Sequence, residues 1–181
     1  MKKIILLFSF ALAATAGFAQ KKTTTSATVA FDATTEKDAL PKAENKTVIG
    51  SLDTQTGAVA FEAAVSNFSF TNPMIQEHFN GEKWLNSAKF PKFSFAGKID
   101  KLGKVKFDKN GTYEVDVTGT LTVREASKPV TVHGKITVKD GAITINASFS
   151  LVLADYGISG APIDAGKVAK EPKVTVTADF L

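Results

Sequence analysis

Over most of its length this chain alternates apolar and polar side chains with period two, and no other feature narrows its possible folds as much. Val59, Phe61, Ala63 and Val65 share one parity. Tyr113, Val115, Val117, Gly119, Leu121 and Val123 form the longest run, with Glu114, Asp116, Thr118, Thr120 and Thr122 on the other parity. Val130 to Val138, Ile143 to Leu153 and Val174 to Phe180 repeat the pattern. Successive side chains of a strand point to opposite faces, so each run has one greasy face and one wet face. Adding 27–33, 47–52 and 93–99 gives about eight antiparallel strands. A sheet of that size sheds its sticky edges by closing into a barrel. Eight strands enclose a space just wide enough to be filled by side chains or to hold one small ligand.

Residues 71–95, TNPMIQEHFNGEKWLNSAKFPKFSF, break the alternation. Asn72 followed by Pro73 reads as an N-cap and first helical residue, because the Asn oxygen accepts an orphan N–H and Pro lacks one. Asn80-Gly81 supplies the stop. Met74, Ile75, His78 and Phe79 then fall on one helical face, expected to pack on the strands, with Gln76, Glu77 and Asn80 turned to water. Two turns of helix cannot stand alone, so this short insert between the third and fourth strands is expected to lie across the barrel mouth. Phe68 and Phe70 have the opposite parity to Val59–Val65, which predicts a bulge near Ser66 and Asn67. Asn110-Gly111 and Asp140-Gly141 both read as tight hairpin turns, since these residues tolerate positive φ. Gly97, Gly119 and Gly134 have inward parity, and either permit sharp curvature or leave volume for a guest.

Lys2 and Lys3 precede an apolar run from Ile4 to Ala14, and Gly17-Phe18-Ala19 offers small residues for a signal peptidase. Residues 1–19 are therefore expected to be an export signal, 20–26 a mobile lead-in and 27–181 one barrel domain, placing the mature protein in the periplasm or outside the cell. The chain contains no cysteine, which excludes thiolate metal sites, cysteine nucleophiles and lipid anchoring through a cysteine. A formal charge of +4 falls to +2 once Lys2 and Lys3 leave, and the basic residues are scattered lysines with Arg124 the single arginine. That balance does not point to nucleic acid.

Catalysis has little to stand on. His78 and His133 are the two histidines, on different elements and with no nucleophile signature beside either. His133 has outward parity. Met74 and His78 are spaced to share a helical face, a spacing that suits either a haem or copper ligand pair or ordinary packing. No glycine-rich phosphate loop follows a strand. The aromatic supply says more, because Phe68, Phe70, Phe79, Trp84, Phe90, Phe93 and Phe95 crowd around the helix, more than a lid alone needs. They read as the lining of an apolar pocket. Two competing readings are an outer-membrane barrel, which would face its hydrophobes to lipid and carry Tyr and Trp girdles, and a ligand-free structural or stress-response module acting through its surface.

Three segments carry a family resemblance. FTNPMIQEHFNGEKWLNSAKFPKFSFAGKI, VTGTLTVREASKPVTVHGKITV and FSLVLADYGI, in that order, resemble the helix-and-strand, hairpin and penultimate-strand segments of the YceI-like family of exported bacterial proteins. The resemblance implies a lipocalin-like antiparallel barrel, with a helical insert over its opening, that holds a long-chain amphiphile such as a polyisoprenoid or an isoprenoid quinone. No enzyme is expected, and no metal or cofactor beyond such a lipid. The partner expected is the lipid itself, with transient membrane contact during its transfer. Expected ligand contacts are Phe68, Phe70, Met74, Phe79, Trp84, Phe90, Phe93, Phe95, Leu121, Phe149, Leu151 and Tyr156, with Asn86, Asp155 and Tyr156 nearest a headgroup. Arg124-Glu125 stands where the family carries His-Gly, so the turn there is expected to forgo positive φ.

Overall fold

The computed structural model describes residues 21–181, and the expected export signal lies outside the described residues. The strands are β1 (Lys21–Asp32), β2 (Lys42–Asp53), β3 (Ala58–Ala64), β4 (Ser69–Phe70), β5 (Lys92–Ile99), β6 (Gly111–Val123), β7 (Ala126–Lys139), β8 (Ala142–Ser150) and β9 (Lys173–Phe180). All pairings are antiparallel in the order β1-β9-β8-β7-β6-β5-β3-β2, and β1 also pairs with β2 to close the ring. β4 is a two-residue addition beside β2, so the barrel proper has the eight strands the alternation predicts.

Register places the apolar parity inside. Across β6 and β7, Val115 faces Gly134 and Val117 faces Val132, while the intervening pairs form a polar outer ladder. On that outer face Lys135 pairs with Glu114 at 3.0 Å, and Thr122 and Ser127 hydrogen bond at 2.8 Å. His133 is exposed and pairs with Asp116 at 2.5 Å. A lipid-spanning barrel has the reverse polarity, apolar outside and polar within. This geometry removes the outer-membrane reading.

One end of the barrel is a packed floor, where Leu52, Ile136, Ile143 and Phe180 are each almost wholly buried. Asp140 and Gly141 make the floor-side turn expected of them, with φ of 51° and 86°. Asn110-Gly111 does not form a hairpin. An irregular connection from 100 to 110 containing a 3-10 turn (Leu102–Lys104) joins β5 to β6, and neither Asn110 nor Gly111 takes positive φ. The Asn110 side chain instead bonds the neighbouring turn, donating to the Asp140 carboxylate at 2.9 Å and accepting from the Asp140 N–H at 2.8 Å.

Two strand boundaries differ from expectation. The stretch 20–26, expected to be mobile, belongs to β1 from Lys21 onward, with Lys21 opposite Asp53 and Thr24 opposite Gly50. Pairing with β2 carries β1 beyond the segment that closes the ring on β9, so tertiary pairing overrides a polar composition. β2 likewise begins at Lys42 rather than Thr47, because Ala43 and Asn45 face inward although the run looks charged. Asn45 is wholly buried. Its amide donates to the Ala64 carbonyl at 2.9 Å, and its oxygen accepts from the Thr47 N–H and hydroxyl, each at 2.9 Å.

Candidate functional site

The opposite end is the mouth, covered by 33–41, 65–91 and 151–172. Helix α1 (Pro73–Asn80) starts as read, the Asn72 side chain accepting from the Met74 N–H at 2.9 Å with Pro73 at the first turn. It ends at Gly81, whose φ of −67° lets the chain leave extended rather than left-handed. The parity switch before it is made by a 3-10 turn (Val65–Asn67), not a bulge, and Phe68 and Phe70 both end up buried.

The inner face of α1 is rotated from the expected one. Ile75 and Phe79 point down, while Met74 is 65% exposed and His78 is exposed beside it. Gln76 turns inward to accept from the Phe70 N–H at 3.3 Å, and Asn80 donates to the Gln76 carbonyl at 2.9 Å. These bonds hold the helix with Phe79 at its centre of contact, which leaves Met74 and His78 on the outside. Phe79 lies 4.8 Å from Phe70, 5.8 Å from Phe68 and 6.2 Å from Phe31, ring centre to ring centre, and Phe68 lies 5.8 Å from Phe93. Tilted pairs at such spacings are favourable beyond the area they bury.

Beneath this aromatic plug a cavity of about 150 Å³ runs along the barrel axis. Of the residues expected to contact a ligand, Phe68, Phe79, Trp84, Phe93, Phe95, Leu121, Phe149 and Leu151 line it. Four do not. Met74 faces solvent, Phe70 sits behind Phe79, and Phe90 lies at the rim. Tyr156 is buried in the packing around the 3-10 turn Leu153–Tyr156, and burial together with the Asp155 charge pushes its phenol above the usual tyrosine value. Ser94 and the indole of Trp84 are the polar exceptions in an otherwise hydrocarbon lining.

Sequence reasoning named only part of that wall. Phe61, Val117 and Val176 also line it and were legible from inward parity alone. Leu85 and Ile158 line it from irregular segments of the lid, where no periodicity marks them. The inward glycines all sit where a Cβ would meet a neighbouring backbone carbonyl, at 2.8 Å for Gly97 and Gly134 and 2.5 Å for Gly119. Gly97 and Gly119 face each other across β5 and β6, and a Cβ on Gly119 would meet the Ala96 carbonyl at 2.5 Å and the Phe95 ring at 2.7 Å. They let two backbones and the Phe95 ring come together. Gly134, opposite Ala147, lines the cavity itself.

At the rim, the two-residue turn between β6 and β7 places Arg124 at φ 55°, so positive φ is used there without glycine. Its guanidinium lies 5.5 Å from the Phe90 ring centre, and its Nη1 donates to the Gly157 carbonyl at 3.4 Å.

A closed antiparallel barrel with a packed floor, a helical lid and a hydrocarbon-walled interior is a lipocalin-like apolar-cavity protein in architecture. The chain belongs to the YceI-like domain family, whose model matches residues 11–180. A polyisoprenoid-binding domain from Saccharophagus degradans, implicated in plant cell wall breakdown, is similar in fold, with a TM-score of 0.74 at 12% identity over 89% of this chain and 97% of that one. BcnA of Burkholderia cenocepacia aligns with a TM-score of 0.69 at 16% identity over 86% and 96% of the two chains. The Campylobacter jejuni YceI protein aligns with a TM-score of 0.54 at 18% identity over 74% and 80%. Among curated proteins none matches the chain.

Proposed function

We propose that this protein is a non-enzymatic carrier that holds the apolar tail of a long-chain amphiphile, an isoprenoid first, inside its barrel. The observation that carries the reading is the cavity wall, hydrocarbon almost throughout and closed at one end by the floor. Such a wall rewards only the removal of apolar surface from water, worth about 0.8 kcal/mol per methylene, or roughly 4 kcal/mol gross for a five-carbon unit. A cavity of about 150 Å³ with walls of this kind holds a guest of benzene size and stays dry when empty. A longer tail therefore enters by spreading the wall, and Phe93, Phe95, Leu121, Phe149 and Leu151 are the side chains to move, since each faces inward and is only half-buried. The Saccharophagus degradans domain, a polyisoprenoid binder of the same fold, supports an isoprenoid as the guest.

The lysine pair and apolar run of residues 1–19 support export to the periplasm, and the mature chain is expected to begin at Gln20. N-terminal sequencing of the protein from its own cell tests that point. Native mass spectrometry of the same material, with organic extraction, tests the carrier reading: a bound isoprenoid, or uptake of added geranylgeraniol, is expected. Protein that is empty and takes up none would overturn it in favour of a surface-acting module.

A further inference from the structure

At the closed end of the barrel, opposite the mouth, side chains are sorted by charge. The connection between β5 and β6 runs from Asp100 to Asn110 beneath the floor. Val105 is buried, and Leu102 and Phe107 pack on the core, so these three turn inward. Lys101, Lys104, Lys106 and Lys109 interleave with them and are exposed. Contacts tie this connection to its neighbours. Leu102 Cδ1 lies 3.1 Å from where a Cβ on Gly57 would stand, in the β2–β3 turn, and Asn110 bonds Asp140 in the β7–β8 turn. Lys22 Nζ donates to the Gly141 carbonyl at 3.3 Å, and Lys21 lies opposite Asp53. The start of β1, the two turns and the connection therefore share one end face.

That face holds the positive charge of the molecule. Residues 21–22, 53–58, 98–111, 139–142 and 179–180 carry eight lysines against five aspartates. The mouth, residues 33–41, 65–91, 124–125 and 151–172, carries six basic residues against eight acidic ones. The closed-end carboxylates are engaged locally: Asp53 accepts from the N–H groups of Gln55 and Thr56 at 2.9 Å each, Asp100 from the Thr118 hydroxyl at 2.8 Å, and Asp179 from the Thr144 hydroxyl at 2.6 Å. Among the described residues the ion pairs lie on the barrel wall and at the rim, and none joins a closed-end lysine to a carboxylate. Opposite charge at the two ends gives a field that orients the molecule over a charged surface.

We propose that the closed end docks on an anionic lipid surface, with the mouth facing away from it. Charge complementarity supplies the attraction, since lysines held near an anionic leaflet add their contributions within a Debye length of it. Position supplies the occupant. The proposed export signal joins the domain at this same end, and Lys21 is seven residues beyond Ala14, where the apolar run stops. Seven extended residues reach at most about 25 Å, so a bilayer surface is at hand as the domain emerges. The docking goes beyond the carrier reading and does not depend on what the barrel holds.

The mature chain is sedimented with vesicles of equal parts phosphatidylglycerol and phosphatidylcholine, and with vesicles of phosphatidylcholine alone. Binding to the first and not the second is expected, and raising the salt well above about 0.1 M should release it. Lys101→Gln, Lys104→Gln, Lys106→Gln and Lys109→Gln together should weaken binding on the order of a hundredfold. A charge-matched control at the mouth, Lys37→Gln, Lys83→Gln, Lys167→Gln and Lys170→Gln together, should change it far less. All eight lysines are exposed, so neither set disturbs the core. Orientation is read separately. The chain contains no cysteine, so Gly103→Cys, with nothing within 4 Å, and Met74→Cys, on the outer face of α1, each accept a single fluorophore. A quencher on the lipid headgroups should dim the label at 103 and spare the label at 74.

Equal binding to the two kinds of vesicle, binding to neither, or equal losses from the two lysine sets would overturn the docking surface. Quenching at 74 rather than 103 would overturn the orientation and with it the proposal. Long-chain polyphosphate that displaces the protein at equal phosphate concentration would make this end a site for soluble polyanions and overturn the lipid assignment. Uptake of an isoprenoid alcohol, measured without vesicles, tests the carrier reading apart from all of these.

Discussion

At the scale of single residues, contact distances separate a strand glycine from a loop glycine. Alanine at Gly119 has no space, its Cβ falling 2.5 Å from one carbonyl and 2.6 Å from the Gly97 Cα, whereas Gly103 has nothing within 4 Å. Gly119→Ala is therefore expected to cost about 1–3 kcal/mol, as overpacking does, and Gly103→Ala close to nothing; urea midpoints of the two variants check this. Asn45 is a second such residue, polar and inward. Truncation to Ala strands the Ala64 carbonyl and the Thr47 N–H together, with an expected loss of roughly 2 kcal/mol. Asp32 sets a pH dependence. The Thr34 hydroxyl at 2.7 Å and its N–H at 3.0 Å, helped by the charges of Lys42 and Lys173, hold the Asp32 carboxyl below its ordinary value of 3.8. A depressed folded value stabilises above the unfolded one and is lost as pH falls through the folded value. Acid titration of stability below about pH 4 should thus be shallower in Asp32→Asn than in the parent, the difference being small because the group is largely exposed.

At the scale of elements, the start of α1 was legible and its orientation was not. Asn72-Pro73 carries its instruction in two adjacent residues, because a cap is a local bond. Which side of the helix faces down depends on Gln76 meeting the Phe70 N–H and on Phe79 meeting three other rings, contacts that no local pattern encodes. Asn72→Ala is expected to weaken the helix by about 1 kcal/mol and speed amide exchange at Ile75–Phe79. Met74→Ala, on the outer face, should change neither that exchange nor the rate of ligand release, and Phe79→Ala should raise both. The turns repeat this lesson. Asp140-Gly141 behaves as written because its flanking strands pair directly, while Asn110-Gly111 follows a connection too long for a hairpin and becomes a brace for its neighbour.

At the scale of the whole molecule, the proposed carrier function depends on a barrel that is hollow rather than full. Ala147→Phe, projecting into the cavity from β8 opposite Gly134, is expected to abolish uptake of an isoprenoid alcohol while far-ultraviolet circular dichroism still reports a folded barrel. Period two was sufficient to predict eight antiparallel strands with an oily inside, because strand geometry assigns faces from parity alone. It also picked out part of the aromatic wall, since Phe93, Phe95 and Phe149 need only a strand to point inward. Length of pairing was beyond it. β1 extends through polar residues because Lys21 to Thr24 pair with Asp53 to Gly50 of β2, beyond the Thr28–Asp32 segment that closes the ring on β9. Nor could parity give the hollowness, the rotation of the lid or the meeting of Arg124 with Phe90. Each is a distance between segments remote in the chain, and only the closed barrel brings those segments together.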